Sequence, residues 1–112
     1  MKVVGIGVDL VDMQRFIDAR YFERAVEFFL MPSEIEEMHK SRDKVQFAAS
    51  RFAAKEAVIK AFPGMLQYHD IQIVKKGDKI GVQFEHANLS HSVFLSIAHE
   101  LNWAIASVIL CV

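Results

Sequence analysis

The fold of this chain is decided by one stretch, Phe52-Ala53-Ala54-Lys55-Glu56-Ala57-Val58-Ile59-Lys60. Phe52, Glu56 and Lys60 recur at every fourth position, so in a helix they share one face. The alanines around the charges let other backbones approach closely, which a solvated face does not require. We therefore predict a long, closely packed helix within residues 43–62, which Pro63-Gly64 ends. On this helix a glutamate stands between two lysines.

A second informative stretch, Gly5-Ile6-Gly7-Val8-Asp9, ends an apolar run with an acid. Residues 2–9 predict a short strand, and its two glycines indicate a close backbone approach or a bulge. Asp9 could cap the helix that follows, as could Asp12. It could also join Glu56 in binding a divalent cation, because Mg²⁺ commonly takes one or two carboxylates together with substrate phosphates. A cation beside lysines suggests phosphoryl-group chemistry on a nucleotide-like donor.

Two further helices are predicted before the long one. Apolar residues at helical spacing with charges between them predict a helix over residues 12–29. Ser33-Glu34-Ile35-Glu36 fits a capping box directly after Pro32, and it predicts a short helix that runs to about Lys40.

The second half of the chain carries strand patterns. Lys76-Gly77-Asp78 predicts a hairpin between strands at 70–74 and 80–84, and residues 99–102 predict a second hairpin between 93–97 and 103–110. The predicted fold class is α+β. We expect a single domain over residues 1–112, in which an antiparallel sheet packs with a long helix and shorter helices.

Composition narrows the classes of function. The formal net charge of −1 gives no basic field for nucleic acid. Apolar residues make up 53% of the chain and nine are Phe, so part of the apolar surface is expected to be buried against other copies. The lone Cys111 excludes an internal disulfide and a cysteine-based zinc site. The N-terminus reads as neither a signal peptide nor a membrane span, so we expect a cytoplasmic protein with no membrane partner.

Each candidate residue has a plainer interpretation. Glu56 and Lys60 could form only a surface ion pair, worth a few tenths of a kcal/mol. His99 closes an apolar strand, where it could cap the turn or contact a ligand. The remaining histidines are predicted in loops or on the surface: His39, His69, His86 and His91.

Three blocks match a known family in order and spacing. Gly5-Ile6-Gly7-Val8-Asp9 is followed by Arg15, the block Arg51-Phe52-Ala53-Ala54-Lys55-Glu56-Ala57 is followed by Lys60, and Ser96-Ile97-Ala98-His99 precedes the last strand. In these residues the chain resembles the short, bacterial-type holo-acyl-carrier-protein synthases among the 4′-phosphopantetheinyl transferases. The resemblance spans nearly the whole chain.

The resemblance implies an activity and an assembly. The 4′-phosphopantetheine group of coenzyme A would be transferred to a serine of apo-acyl carrier protein, with release of adenosine 3′,5′-bisphosphate. Magnesium would be required, and the transfer would serve fatty acid biosynthesis. The enzyme would be a homotrimer with its active sites between subunits.

The resemblance also implies residue roles. Asp9 and Glu56 would hold magnesium and, with Lys60, form the catalytic set. Lys60 would contact the phosphates, as a general base if its pKa is depressed or otherwise as an electrostatic clamp, which is the favoured role. The further contacts to coenzyme A would come from Arg51, Lys55 and His99, and the acidic carrier protein would meet Arg15, Arg20 and Arg24.

Other classes of protein remain to be considered. A non-catalytic module that binds coenzyme A or the carrier would not need the Asp9, Glu56 and Lys60 set. A small acyl-coenzyme A thioesterase would also be an α+β oligomer, but it would not need magnesium. A purely structural subunit would leave the helix with its acid and lysines unexplained.

Overall fold

A computed structural model describes residues 1–85 and 91–112. The described residues form five strands and three α-helices, with short 3₁₀ helices at Met13–Phe16 and Tyr68–Asp70. In chain order these elements are β1 (Val3–Asp12), α1 (Ala19–Val26), α2 (Pro32–His39), α3 (Lys44–Ala61), β2 (Ile71–Lys76), β3 (Lys79–Phe84), β4 (Ser92–Glu100) and β5 (Trp103–Cys111).

The strands form two antiparallel sheets. One has the order β1-β5-β4 and the other consists of β2 and β3. Both predicted hairpins are present, with Gly77 at φ 64° in the first turn and Leu101 at φ 53° in the second. The predicted α+β class with a long helix on an antiparallel sheet is confirmed. The structure has two sheets where one antiparallel sheet was predicted, because the first hairpin forms a sheet of its own.

The long helix α3 packs across β1 and β5 on a surface of small residues. Asp43 caps it by accepting a hydrogen bond from the backbone of Gln46 at 3.0 Å. Gly5 and Gly7 of β1 lie against the carbonyl oxygens of Ala61 and Ala57, where any added Cβ would overlap them. The close approach predicted from these glycines is therefore confirmed. It places the following residues of β1 beside the C-terminal half of α3.

The helix predicted over residues 12–29 is interrupted. Asp12 accepts from the backbone of Gln14 at 3.0 Å and starts a 3₁₀ helix that stops before Ile17. Asp18 then accepts from the backbone of Arg20 at 3.1 Å and starts α1 anew. The two aspartate side chains thus accept hydrogen bonds from backbone N–H groups and each starts a new helical segment. Short polar side chains often compete in this way with the backbone hydrogen bonds of a continuous helix.

The start of α2 also differs from the prediction. The helix begins at Pro32, with Met31 as its N-cap, and Glu34 accepts a hydrogen bond from the Met31 backbone at 2.7 Å. Ser33 is therefore not the cap. The proline itself occupies the first turn, where its missing N–H costs nothing.

One face of the three-stranded sheet packs on α3, and the other is exposed and apolar. Side chains alternate between the two faces of a strand, so each strand contributes to both. The exposed apolar side chains of the second face, which we call the outer face, include Ile6, Val8, Leu10, Phe94, Trp103, Ile105 and Ile109. Within residues 1–85 and 91–112, no helix is both long and apolar enough to span a membrane.

Candidate active site

Asp9 and Lys60 come together between β1 and α3. Asp9 lies on the same face of β1 as Gly5 and Gly7, the face that packs on the helix. Lys60 donates a hydrogen bond to Asp9 Oδ1 at 2.9 Å and another to the Val8 carbonyl at 3.1 Å. The Asp9 side chain is 16% exposed and that of Lys60 is 52% exposed. The glycine contacts thus place a shielded carboxylate against an accessible ammonium group.

Glu56 lies on the same helix face as Lys60 and has a partner that the sequence analysis did not find. The hydroxyl of Tyr68 donates a hydrogen bond to Glu56 Oε1. The pKa of Tyr68 is raised to about 12, first by this hydrogen bond, then by burial and by the negative charges of Glu56 and Asp9, while Arg15 opposes the shift. Both carboxylates therefore act on the same phenol, which places Asp9, Glu56 and Tyr68 in one site.

The residues of this site suit a magnesium ion. Mg²⁺ prefers oxygen ligands and keeps several waters, and it typically combines one or two carboxylates with substrate phosphates. Asp9 and Glu56 supply two carboxylates beside a lysine that could contact the same phosphates. No cluster of three or more acidic, histidine or cysteine side chains suited to a metal occurs in the part of the chain that the structure describes. The remaining ligands would come from the substrate and from water.

The three predicted carrier-binding arginines do not lie on one helix, and Arg15 is the one with a described contact near this site. Arg15, in the first 3₁₀ helix, stands over the ring of Phe52 with its guanidinium carbon 5.2 Å from the ring centroid. Arg20 and Arg24 lie on α1, where both are exposed, and Arg20 contacts the hydroxyl and ring of Tyr21. The interruption at Asp18 therefore separates Arg15 from the other two in secondary structure.

Arg51 and His99 line a different cavity, of about 610 Å³. Five positions along α3 separate Arg51 from Glu56, which amounts to about 140° around the helix. The lining also includes the cations Lys40, Arg42 and Lys75, against the acids Glu37, Asp43 and Asp78. Asp9, Glu56 and Lys60 do not line it. Within one chain, the structure therefore does not join these two groups of predicted site residues into a single cavity.

The two predicted site residues that line this cavity, Arg51 and His99, are both held by neighbouring side chains. Arg51 stacks on Phe47 with a guanidinium-to-centroid distance of 4.3 Å and pairs with Glu37 at 3.5 Å. Its buried Nε has no hydrogen-bond partner among the described residues. Burial lowers the pKa of Arg51, while Glu37 and Glu34 oppose this shift. His99 lies 3.0 Å, through Nδ1, from the side-chain nitrogen of Gln46. Since an amide nitrogen can only donate, Nδ1 accepts and Nε2 remains free to contact a ligand.

Lys55 is placed differently from the other predicted site residues. Its side chain is fully buried and donates to the Phe29 carbonyl at 2.6 Å, to Glu34 Oε1 at 2.6 Å and to the Tyr68 carbonyl at 3.2 Å. Burial lowers the pKa of Lys55, and Glu34 opposes the shift. All three donors of the ammonium group are used within the protein. In this arrangement Lys55 supports the fold and is not presented to coenzyme A, contrary to the prediction.

Two residues of the site region were missed from the sequence. Tyr68 lies twelve positions after Glu56 and beyond the helix end, so no helical spacing connects them. Glu34 was assigned only to a capping box, and that assignment gave no sign of its pairing with Lys55. The same short helix carries two further glutamates, Glu36 and Glu37, and no local pattern distinguishes Glu34 from them as the buried one. His86, predicted on the surface, lies outside the described residues.

The comparison with known proteins identifies the family. The profile of the 4′-phosphopantetheinyl transferase superfamily matches residues 5–108. The holo-[acyl-carrier-protein] synthase of Vibrio cholerae is 36% identical over 124 aligned positions, which cover 96% of this chain and 97% of that protein. The synthase of Listeria monocytogenes is 35% identical over 115 positions, covering 96% and 98%. The chain belongs to the 4′-phosphopantetheinyl transferase superfamily.

Solved structures agree. A holo-(acyl-carrier-protein) synthase from Bacillus anthracis, in complex with CoA (3′,5′-ADP), matches with a TM-score of 0.86 and 28% identity over 99% of this chain and 98% of that one. The Helicobacter pylori synthase in complex with coenzyme A matches with a TM-score of 0.78 and 31% identity, covering 94% and 98%. This chain is thus an enzyme of the holo-acyl-carrier-protein synthase type. The predicted resemblance is confirmed, and the thioesterase, binding-module and structural-subunit alternatives are set aside.

Proposed function

We propose that this enzyme transfers the 4′-phosphopantetheine group of coenzyme A to a serine hydroxyl of apo-acyl carrier protein, with magnesium as cofactor. The serine oxygen forms a bond to the phosphorus that carries the pantetheine arm, and the phosphorus–oxygen bond within the diphosphate breaks. Adenosine 3′,5′-bisphosphate leaves, and the serine proton passes to a base. The observation that carries this proposal is the convergence of Asp9, Glu56, Lys60 and Tyr68 at one end of α3.

Within this site the chain's own residues bind and orient the diphosphate. When bound, magnesium would neutralise the charge that develops on the leaving group. Asp9 and Glu56 would hold it. Lys60 already donates two hydrogen bonds, to Asp9 and to the Val8 carbonyl, which leaves its third donor for a phosphate oxygen. These contacts favour Lys60 as an electrostatic clamp over a general base. A general base must offer a lone pair to accept a proton, whereas the Lys60 nitrogen acts as a donor in both contacts.

We assign the nucleotide end of coenzyme A to the cavity lined by Arg51 and His99. Two observations support this assignment: an excess of cations in the lining and a buried Arg51 Nε without a partner among the described residues. Such a cluster of cations attracts the phosphate groups of a nucleotide, and the planar guanidinium of arginine is a good hydrogen-bond donor to phosphate oxygens. Since this cavity excludes Asp9 and Glu56, one coenzyme A would have to contact two copies of the chain.

The outer face of the sheet would bring those copies together. Ile6 of β1, Ile109 of β5 and Phe94 of β4 lie side by side in one row and are 73%, 46% and 50% exposed. A second row on the same face, separated from the first by the row of Val8 and Ser107, joins Leu10 and Ile105. Apolar side chains concentrated on one sheet face suit an interface. We propose a homotrimer that shares its active sites between subunits, in the cytoplasm.

The acidic carrier protein would dock against Arg15, Arg20 and Arg24. All three are exposed, and Arg15 lies within the same group of residues as Glu56 through Phe52 and Tyr68. A carrier held there would present its serine close to the diphosphate. Near-neutral overall charge makes such local cations the main electrostatic attraction available.

The central experiment incubates the enzyme with apo-carrier protein, coenzyme A and Mg²⁺, and measures the intact mass of the carrier. We expect the wild type to add one phosphopantetheine, and Asp9→Asn and Glu56→Gln each to reduce the rate by at least about 100-fold. Glu85→Gln, an exposed acid outside the site, is the matched control and should match the wild type. Full magnesium-dependent activity in either site variant would disprove the two-carboxylate site.

A second experiment tests whether the site is shared. Asp9→Asn and His99→Ala chains are unfolded, mixed one to one and refolded together, and activity is measured at coenzyme A concentrations below KM. If Asp9 of one subunit works with His99 of the next, random assembly restores about a quarter of the sites. No recovery beyond the two separate variants would show that each chain uses its own His99.

A further inference from the structure

Tyr68 contacts the proposed catalytic region from outside both α3 and β1. It lies in the second 3₁₀ helix, outside α3, and its hydroxyl donates to Glu56 Oε1. We propose that Tyr68 is a positioning residue, whose hydroxyl holds the Glu56 carboxylate in the orientation in which its second oxygen binds the magnesium ion. The inference rests on the proposed function, because it assumes that Glu56 is a ligand of the cation.

Glu56 needs a partner that fixes its orientation, because nearby cations could otherwise hold its carboxylate in a different one. A glutamate side chain has three rotatable bonds, and fixing it costs up to about 2 kcal/mol of conformational entropy. Lys60 is one helical turn away on the same face, and Arg15 lies beside Phe52. Either cation could draw an unrestrained carboxylate away from the metal. A hydrogen bond to one oxygen fixes the plane of the group and leaves the other oxygen available.

Tyr68 is itself firmly held. Its ring centroid lies 5.8 Å from that of Phe52 and 6.5 Å from that of Phe29. Its carbonyl accepts from Lys55, which is fully buried and paired with Glu34 at 2.6 Å. A rigid, buried ion pair therefore fixes the backbone from which the phenol reaches Glu56. Lys55 is therefore connected to the site indirectly, through the backbone of Tyr68, and not through the predicted contact with coenzyme A.

The ring and the hydroxyl of Tyr68 have separable roles. The aromatic contacts need only the ring, which phenylalanine would provide equally well. Among the residues that the structure describes, the oxygen adds a single hydrogen bond, the one with Glu56. Tyr68→Phe therefore removes the proposed positioning contact and keeps the packing, which makes it a clean test.

The experiment titrates Mn²⁺, as a reporter of the magnesium site, into the purified full chain and follows the unbound ion by electron paramagnetic resonance. Tyr68→Phe should bind Mn²⁺ about tenfold more weakly than the wild type, as is usual when a hydrogen bond to a metal ligand is removed. Tyr21→Phe removes the only other tyrosine hydroxyl, on exposed α1, and should leave Mn²⁺ affinity unchanged. In transfer assays Tyr68→Phe should raise the KM for Mg²⁺ about tenfold, with kcat at saturating Mg²⁺ within about twofold of wild type.

A spectroscopic measurement observes the hydrogen bond itself. In the Tyr21→Phe background Tyr68 is the sole tyrosine, so its ring carbon bearing the hydroxyl can be followed by nuclear magnetic resonance with labelled tyrosine. Glu56→Gln should shift that signal, and Glu85→Gln should not. Melting temperatures by circular dichroism establish that every variant is folded.

The possible outcomes separate this inference from the proposed function. If the wild type binds Mn²⁺ and Glu56→Gln weakens binding, but Tyr68→Phe does not, the two-carboxylate site stands and the positioning role is wrong. If Glu56→Gln leaves Mn²⁺ binding unchanged, the metal site and this inference are both overturned. A loss in kcat alone, with unchanged metal affinity, would also contradict the inference, because positioning acts through the metal.

Discussion

At the scale of single residues, burial decides whether a charge serves the fold or the substrate. Lys55 and Lys60 are five positions apart on the same helix, yet one is fully buried and the other is half exposed. Glu34 and two carbonyls occupy the ammonium group of Lys55. Lys60 keeps a donor free beside Asp9. The two lysines of the most informative segment therefore have different roles.

The first prediction concerns the buried pair. Lys55→Met should lower the free energy of unfolding by about 3–5 kcal/mol, because it leaves Glu34 buried without its cation. Lys40→Met is the control, since Lys40 is 76% exposed and, among the described residues, pairs only with the exposed Glu36. Its cost should stay within about 0.5 kcal/mol. Denaturant unfolding of both variants measures the difference.

A companion variant isolates the unpaired charge. Adding Glu34→Gln to Lys55→Met should recover part of the lost stability, since the double variant no longer buries a carboxylate without its cation. If Lys55→Met alone costs under about 1 kcal/mol, the pair does not hold this part of the fold, and the anchoring of Tyr68 would need another explanation.

The second prediction concerns the carrier protein. Arg15→Glu should raise the carrier-protein KM about tenfold at low salt, because it reverses an exposed charge where an acidic partner would dock. The effect on the coenzyme A KM should be smaller. The defect should shrink as salt rises, since exposed charges are screened. Both KM values are measured across a salt series.

A matched control places the same charge change elsewhere. Lys79→Glu alters an exposed cation in the β2–β3 hairpin, which is not part of the proposed carrier-binding surface, and should leave the carrier-protein KM unchanged. An unchanged carrier-protein KM for Arg15→Glu at low salt would mean that the carrier docks on another surface.

At the scale of elements, the contact between β1 and α3 sets the geometry of the site. Neither element carries both Asp9 and Lys60, so their 2.9 Å contact depends on how closely the strand approaches the helix. Two glycines in β1 and the alanines of α3 permit that approach. Side-chain volume in this contact therefore controls the distance between catalytic groups.

The third prediction follows from this contact. Gly7→Ala should destabilise the protein by about 1–3 kcal/mol, because the added Cβ overlaps the Ala57 carbonyl and the backbones must separate. It should also reduce transfer activity, since Asp9 would move away from Lys60. Gly81→Ala, in β3 where no atom lies within 4 Å of the added Cβ, is the control. Denaturant unfolding and transfer assays are carried out on both variants. Equal stability and activity in Gly7→Ala and Gly81→Ala would contradict the role of the close contact between β1 and α3.

At the scale of the whole molecule, the outer face of the three-stranded sheet leaves apolar side chains exposed in the single chain. Seven of its apolar side chains are between 40% and 73% exposed, on strands whose opposite faces are well packed. The two groups of site residues also lie in separate parts of one chain. Both features support the proposed assembly of more than one copy.

The fourth prediction tests that assembly. Light scattering of the wild type should report three times the 12.8 kDa mass of one chain. Ile6→Asp should yield a folded monomer with little activity, because a charge in the outer face opposes association but is solvated in the single chain. Met65→Asp, at a side chain that is 98% exposed outside the sheet, should remain a trimer. A fully active wild-type monomer would rule out both the trimer and the shared site.

Local patterns in the sequence determined most of the fold and suggested the composition of the proposed catalytic set. Helical spacing and the Pro63-Gly64 end located α3 within one residue at each end, and the two hairpins followed from their turn residues. The glycines of β1 indicated the close approach. Asp9, Glu56 and Lys60 could be identified because the acid-and-lysine pattern and the family resemblance both depend on short-range spacing.

Only the tertiary structure decided which charges are buried and which partners meet across the chain. Lys55 pairs with Glu34 twenty-one positions away, and Tyr68 reaches Glu56 from beyond the helix end. The break at Asp18 and the separation of the Arg51 cavity from Asp9 also emerge only in three dimensions. The physical reason is that desolvation and hydrogen bonding depend on what packs around a group, whereas sequence periodicity reports only which residues share a face.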